Sequence, residues 1–408
     1  MKLAVLIAII VSIGLCYRTP QYENMQALIV QYAGGHILEA QAGVPRQVVV
    51  DVKFKKTFEV APQVFISSQL LDWAAGLPQG YMERVSDITT TGFKLSGVAV
   101  GPSPVYSLFV IWYAIYDPRV QVVTFESTDV KELKTGQGER KISFTIEHSL
   151  KDATNAIVGL IGCKHLLTNP IVEVKVEQLT PKSVTVSART YWQAQLEFVR
   201  FNVLLGTDQI LWASPPYVFY NDPASSHPFV KRAPSAAEVP YIIALPKVWQ
   251  SGPRFPIVTF RGYDVERSRN MRLSFNFMGL DTNLKYNLIT WWDTQIYGVF
   301  HQAGVLVADT TYKIFDPNCA ELFSECNFNG DSITVCDRIP DLPAYGWSKP
   351  IKSLTVPLSR RIYLFNKEKY EGQRTSFVTN QQCMESITFT FVQLQSFEEE
   401  QNHILTSQ

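Results

Sequence analysis

The sequence predicts an all-β protein, a series of tandem antiparallel β-sandwiches. Three observations carry this. Tyrosine, phenylalanine, valine, isoleucine and threonine recur in short runs that suit a pleated surface buried on one side. The 23 prolines are scattered along the chain, which leaves little room for long helices. Turn residues return every ~8–12 positions between those runs, the rhythm of a sandwich or barrel.

The chain opens with Met1-Lys2 and an apolar run over 3–15, interrupted only by Ser12 and Gly14. Gly14 and Cys16 then place small residues just before Tyr17. This is the layout of a secretory signal peptide over residues 1–16, so secretion is the expected localisation, extracellular or into a granule. The run is too short for a bilayer, which needs ~20 apolar residues, and no later segment supplies a membrane span. Strands follow. Residues 48–54 alternate after an apolar start, Val64-Phe65-Ile66 follows Pro62, and Thr91-Gly92-Phe93-Lys94-Leu95 leads from a turn into a strand. Residues 106–116 form a long apolar-aromatic run that stops at Asp117-Pro118. The polar stretches 128–140 and 214–238 read as linkers.

The same order of elements then repeats. Opening strands are expected at 48–54, 141–146 and 241–245, and second strands at 64–66, 157–161 and 257–260. Third strands are expected at 82–85, 172–176 and 271–277, and long closing strands at 106–116, 196–205 and 297–307. Turns fall at 90–92, 181–183 and 281–283, where Gly92 and Asn283 are expected to supply a left-handed backbone. The repeat places three sandwich units over 43–118, 139–210 and 238–310.

The third unit carries Asp264-Val265-Glu266 before Met271, then Thr290-Trp291-Trp292-Asp293-Thr294-Gln295-Ile296-Tyr297. The first carries Thr90-Thr91-Gly92-Phe93-Lys94, and the second Tyr191-Trp192 with Phe198. These stretches resemble the H-type lectins, the snail agglutinin and discoidin C-terminal group, with their Trp-His and downstream Tyr pattern after a Thr-Gly-Phe turn. The resemblance implies six-stranded sandwiches, trimeric in the family, that bind N-acetylgalactosamine or galactose-like glycans near subunit contacts. Three units in one chain then imply an intramolecular pseudo-trimer.

Carried over residue by residue, Trp291 matches the family tryptophan, Trp292 stands in place of its histidine and Tyr297 matches its tyrosine. Asn276 falls where the family has an arginine, and Asp264 belongs to the same matching stretch. Trp192 is the second unit's counterpart, followed by Gln193. The first unit keeps Arg84 and Tyr106 but has Val100 and Gly101 in the Trp-His places. A tryptophan face can stack on the apolar C–H face of a galactose ring while polar neighbours fix its hydroxyls. The competing reading makes Trp192 and Trp291 core aromatics of an alternating strand. Because the family pattern uses consecutive residues, a sugar site requires the chain to turn irregularly at Trp291 and Trp292.

Residues 317–393 have their own pattern. Phe323, Phe328 and Gly330 are spaced as Phe365, Tyr370 and Gly372 are, with Ser353 and Ser386 following. This resembles the paired Greek key of βγ-crystallins, in which aromatics cover a folded hairpin and the serine ties it down. Lys349 and Lys352 occupy the stretch where calcium-binding members carry oxygen ligands, so no metal or other cofactor is expected. Cys319, Cys326, Cys336 and Cys383 read as two disulfides with three open pairings, and Cys163 as a buried thiol.

Balanced charge, with 37 Lys+Arg against 37 Asp+Glu, gives no basis for nucleic-acid binding. None of the six histidines lies in a nucleophile, metal or phosphate motif, so the chain is not read as an enzyme. The expected function is a secreted carbohydrate-binding lectin. The alternative is an assembly protein of a secretory granule or matrix.

Overall fold

The computed structural model describes residues 17–32, 34–40, 46–220, 237–292, 294–312, 314–315, 318–336, 338–339, 341–357, 360–366, 374–384, 389 and 391–396. The expected signal peptide, Asp293 and most of the second aromatic-glycine motif, including Tyr370, Gly372 and Ser386, lie outside them. The chain divides into a larger unit, Pro20–Thr310, and a smaller one that joins the N-terminal residues to the C-terminal region. No described helix is long and apolar enough to cross a membrane.

The two-residue strand β1 (Tyr17–Arg18) belongs to the smaller unit. The larger unit begins with β2 (Gln21–Val30). A first group of five strands follows: β3 (Arg46–Lys53), β4 (Gln63–Trp73), β5 (Gly80–Ser86), β6 (Gly92–Ala99) and β7 (Val105–Tyr116). After β8 (Val120–Ser127) and one helical turn, α1 (Lys131–Lys134), a second group comprises β9 (Arg140–Glu147), β10 (Asn155–His165), β11 (Ile171–Leu179), β12 (Ser183–Thr190) and β13 (Leu196–Gly206). Short β14 (Leu211–Ala213) and β15 (Tyr217–Tyr220) precede the third group. That group comprises β16 (Ala237–Ala244), β17 (Arg254–Val265), β18 (Met271–Leu280), β19 (Asn283–Thr290) and β20 (Ile296–Val307).

The pairing scheme is the same in each group. The first strand pairs the fourth and the fourth pairs the third, while the second pairs the fifth. An extra outer strand covers each fifth strand: β2 on β7, β8 on β13, and β14 with β15 on β20. The third strand of each group then pairs the second strand of another, β5 with β10, β11 with β17, and β18 with β4. The third group thus returns to the first and the sheets close a ring. Every second strand carries bulges at matching places, before Leu70, Gly162 and Gly262, and again before Trp73, His165 and Val265. A bulge re-aims the side chains around it, and these sit where the groups meet.

Side chains of the second and fifth strands join the groups across the ring. Ser67 Oγ donates to the Val258 carbonyl at 2.6 Å and Thr259 Oγ1 to the Val158 carbonyl at 2.9 Å. Asn202 Nδ2 donates to the Ile66 carbonyl at 2.8 Å. Around them one apolar core runs through all three groups, with Trp73 stacked on Tyr81 and edge-on to Tyr263. Cys163 is buried and free, its Sγ 2.8 Å from the Tyr263 hydroxyl. Glu83, fully buried, accepts from Ser68 Oγ, and burial lifts its carboxyl to about 8.

Two sequence expectations are corrected. Neither Gly92 nor Asn283 has a left-handed backbone. Glycine is needed at 92 for a different reason, because a Cβ there would collide with the Val52 carbonyl across the β3–β6 pair. The first linker also holds α1, whose Leu133 is buried.

The smaller unit contains β21 (Ile314–Phe315), paired with β1, then β22 (Ala320–Phe323), β23 (Ser332–Val335), β24 (Arg338–Ile339), β25 (Ser353–Thr355), β26 (Arg360–Phe365), β27 (Arg374–Phe377) and β28 (Phe391–Ser396). They form sheets β23-β22-β25 and β24-β28-β26-β27. The first aromatic-glycine motif folds as the sequence implies: Gly330 has φ 80° and Phe323 meets Phe328 edge-on at 5.8 Å. Ser353 Oγ accepts from the Phe328 N–H and donates to the Glu325 carbonyl, tying the hairpin down. The cysteines pair as Cys319–Cys336 and Cys326–Cys383.

Candidate functional site

The turn between the fourth and fifth strands is the place to look, because those two strands lie in different sheets. In the third group the turn follows β19. Trp291 is half-buried, and Trp292, 58% exposed, has φ 55°. The second group repeats this after β12: Tyr191 is half-buried, and Trp192, 73% exposed, also has φ 55°. A left-handed backbone is costly for a residue of this size, and it throws both indoles outward. The irregular turn that a sugar site requires is therefore present twice, and neither Trp192 nor Trp292 is a core aromatic.

Each exposed tryptophan opens on a cavity completed by another group. Trp291 and Trp292 line one of about 490 Å³ with Asp72 from β4, Tyr106 from β7, and Asn270 and Arg272 from the third group. The β18–β4 pairing sets Arg272 opposite Asp72. Arg272 Nε stands 3.5 Å from Asp72 Oδ1, and the guanidinium lies 4.8 Å from the Trp292 ring centre. Asp72 is 8% exposed, and its Oδ1 has no hydrogen-bond donor among the described residues. Burial lifts this carboxyl to about 6, with Arg272 opposing the rise.

Trp192 lines a second cavity, of about 830 Å³, with Asp264, Arg267 and Tyr297 from the third group and with Asn169 and Gln193. An adjoining hollow of about 280 Å³ also reaches Trp192 and Asp264. Here the β11–β17 pairing sets Ile171 opposite Asp264. Tyr297 donates to Glu266 at 2.7 Å, not to Asp264. Burial first, then repulsion by Glu266, lifts the Asp264 carboxyl to about 6.

The third equivalent place has neither the exposed indole nor the acid. Gly80 lies opposite Lys164, and Lys164 pairs with Glu197 at 2.5 Å. Gly101, read from sequence in the histidine's place, stands where the other groups carry Trp192 and Trp292, so Trp192 is the counterpart of Trp292 and not of Trp291; a Cβ at 101 would press on the Pro78 carbonyl at 2.5 Å.

The residues expected from sequence are thus divided. Trp291 and Trp292 line the first cavity, while Tyr297, Asp264 and Trp192 line the second. Asn276 lines neither; it is exposed farther along β18, opposite Asn287. Arg84 is also apart, in an ion pair with Glu126 at 2.9 Å. Asp72 and Arg272 were not singled out by sequence; the signal that could have found them is their direct register across β4 and β18.

Comparison with known families now bears on the first cavity. Residues 49–115 match the H-type lectin domain. The lectin match runs from β3 to β7 and includes Asp72 and Tyr106, and it suggests carbohydrate binding. A search of curated proteins finds no match. Among solved structures, the chain is similar to a βγ-crystallin domain from Clostridium beijerinckii at 14% identity, covering 19% of this chain and 95% of that one with a TM-score of 0.17. It is similar to the N-terminal domain of Protein S at 18% identity, covering 19% and 97% with a TM-score of 0.17. A βγ-crystallin domain from Flavobacterium johnsoniae is similar at 17% identity, covering 19% and 94% with a TM-score of 0.17. Lectin domains are typically non-catalytic.

Proposed function

We propose that this chain is a secreted glycan-binding lectin whose principal site is the cavity of Asp72, Tyr106, Arg272, Trp291 and Trp292. One observation carries the reading: the Asp72 carboxylate, 8% exposed and set beside Arg272, lines a cavity walled by an exposed indole. A sugar hydroxyl would donate to the accessible side of that carboxylate, and the indole would cover the ring's apolar C–H face. Galactose or N-acetylgalactosamine is the proposed ligand type, after the lectin resemblance.

The three strand groups are read as H-type lectin units, and their ring as the intramolecular counterpart of a trimer. The repeated pairing scheme and the cyclic β5–β10, β11–β17 and β18–β4 contacts support this. Secretion is supported by the N-terminal apolar run and by the two disulfides, which suit an oxidising compartment.

Calorimetric titration of the full chain with N-acetylgalactosamine tests the site. Trp292→Ala, which removes an exposed ring without opening the core, should weaken binding roughly thirtyfold. Asp72→Asn should weaken it as well, and Arg84→Ala should leave it unchanged. Unaltered binding by a folded Trp292→Ala chain would refute the site. Absence of binding to any glycan would favour the granule or matrix role.

A further inference from the structure

We infer that the second cavity, beside Trp192, takes a sugar bearing a free ammonium group, an amino sugar rather than a neutral one. This rests on the carbohydrate-binding reading above and assigns the other cavity its own ligand class.

The argument starts from Asp264. Its carboxylate is half-buried, and among the described residues no side chain donates to it or pairs with it. Each charged neighbour has a partner other than Asp264. Glu266 accepts from the Tyr297 hydroxyl and the Ser268 N–H. Arg267 Nη1 donates to the Leu167 carbonyl at 2.8 Å, and Arg140 donates to the Trp192 and Ala194 carbonyls. Glu139 pairs with Arg189 at 3.4 Å. At the same register position the first cavity holds Arg272 against Asp72; here Ile171 takes that place and is buried.

A carboxylate withdrawn from water without a cation is costly, and an incoming ammonium offers both charge and three donors. The open Trp192 face would carry the ring and attract the cation's edge. In the first cavity the same ammonium would meet Arg272 paired to the acid itself; in the second the like charge is Arg267, which lines the wall and gives its Nη1 to the Leu167 carbonyl rather than to Asp264. Acetylation of the amine removes the charge while keeping the ring, so the acetylated sugar is the natural control. With the Asp264 carboxyl lifted to about 6, the group is ionised at neutral pH and still able to attract the ammonium.

The test is titration of the full chain with galactosamine and with N-acetylgalactosamine at neutral pH. In the Asp72→Asn chain, whose first cavity is weakened, galactosamine should still bind, and about tenfold more tightly than the acetylated sugar. Asp264→Asn should erase that preference, and Trp192→Ala should weaken galactosamine binding independently. Equal galactosamine affinity in wild type and Asp264→Asn overturns the inference, as does a chain that binds only the acetylated sugar. If galactosamine binding depends on Asp264 while N-acetylgalactosamine binds nowhere, the first-cavity reading falls and this one stands. If neither sugar binds, both fall.

Discussion

At Trp292 the carboxylate of Asp72 faces Arg272; at Trp192 the carboxylate of Asp264 faces Ile171. The two cavities share a left-handed tryptophan, a tyrosine on the neighbouring fifth strand and an aspartate at the bulged end of a second strand. They differ in whether the acid has a partner built in. The third equivalent place goes further and replaces the acid with Lys164, already paired to Glu197. One scaffold thus holds a compensated carboxylate, an uncompensated one and a closed ion pair. The charge each place presents follows from one strand position and the residue opposite it, not from the fold.

The largest effect should come from removing the platforms. Trp292→Ala should cost about 2 kcal/mol of N-acetylgalactosamine binding, read by calorimetry, because a central aromatic anchor is lost. Installing the missing partner should come next. Ile171→Arg should lower galactosamine affinity roughly tenfold and pull the Asp264 carboxyl down, read by titration and by carboxyl chemical shift. If the variant folds and both stay unchanged, the comparison between the cavities is broken.

Acidification should act more gradually. Amino-sugar binding needs Asp264 ionised, so affinity should fall as pH drops through about 6. The same raised value makes ionisation unfavourable to folding, so its stability contribution is lost as pH rises from 3.8 to about 6. Glu83 behaves likewise from 4.5 to about 8, and Glu83→Gln should flatten that part of the stability profile in denaturant titrations. The smallest effect is expected at the third place, where Lys164→Ala should alter affinity for neither sugar.

Much of this was legible in the sequence. Period-two alternation and turn residues located the first, second, third and fifth strands of each group, because those signals are local; the fourth was marked only in the first group, after Gly92, and β12 and β19 were missed. The outer strands β2 and β8 were missed, since their half-exposed faces give weak patterns. Trp192, Trp291 and Trp292 were legible as aromatics at a strand end. Their grouping was not. Tyr297 lies five residues after Trp292, but the turn between them passes from the β16-β19-β18 sheet to the β17–β20 sheet. Residues before the turn therefore meet one neighbour and residues after it meet another. Asn276 was taken for the polar partner, yet Arg272 is the residue that the β18–β4 register brings to Asp72.

The hydrogen bond from Gln69 Nε2 to the Phe275 carbonyl joins positions 206 residues apart, where the third group returns to the first. Such a contact forms only after a long loop has closed, which makes it slow. During synthesis the first group waits with the edge of β4 unpaired until β18 emerges. An open edge is a template for any other strand, including β18 of a second chain. Refolding at high concentration should therefore yield exchanged dimers alongside monomers, and dilution should suppress them.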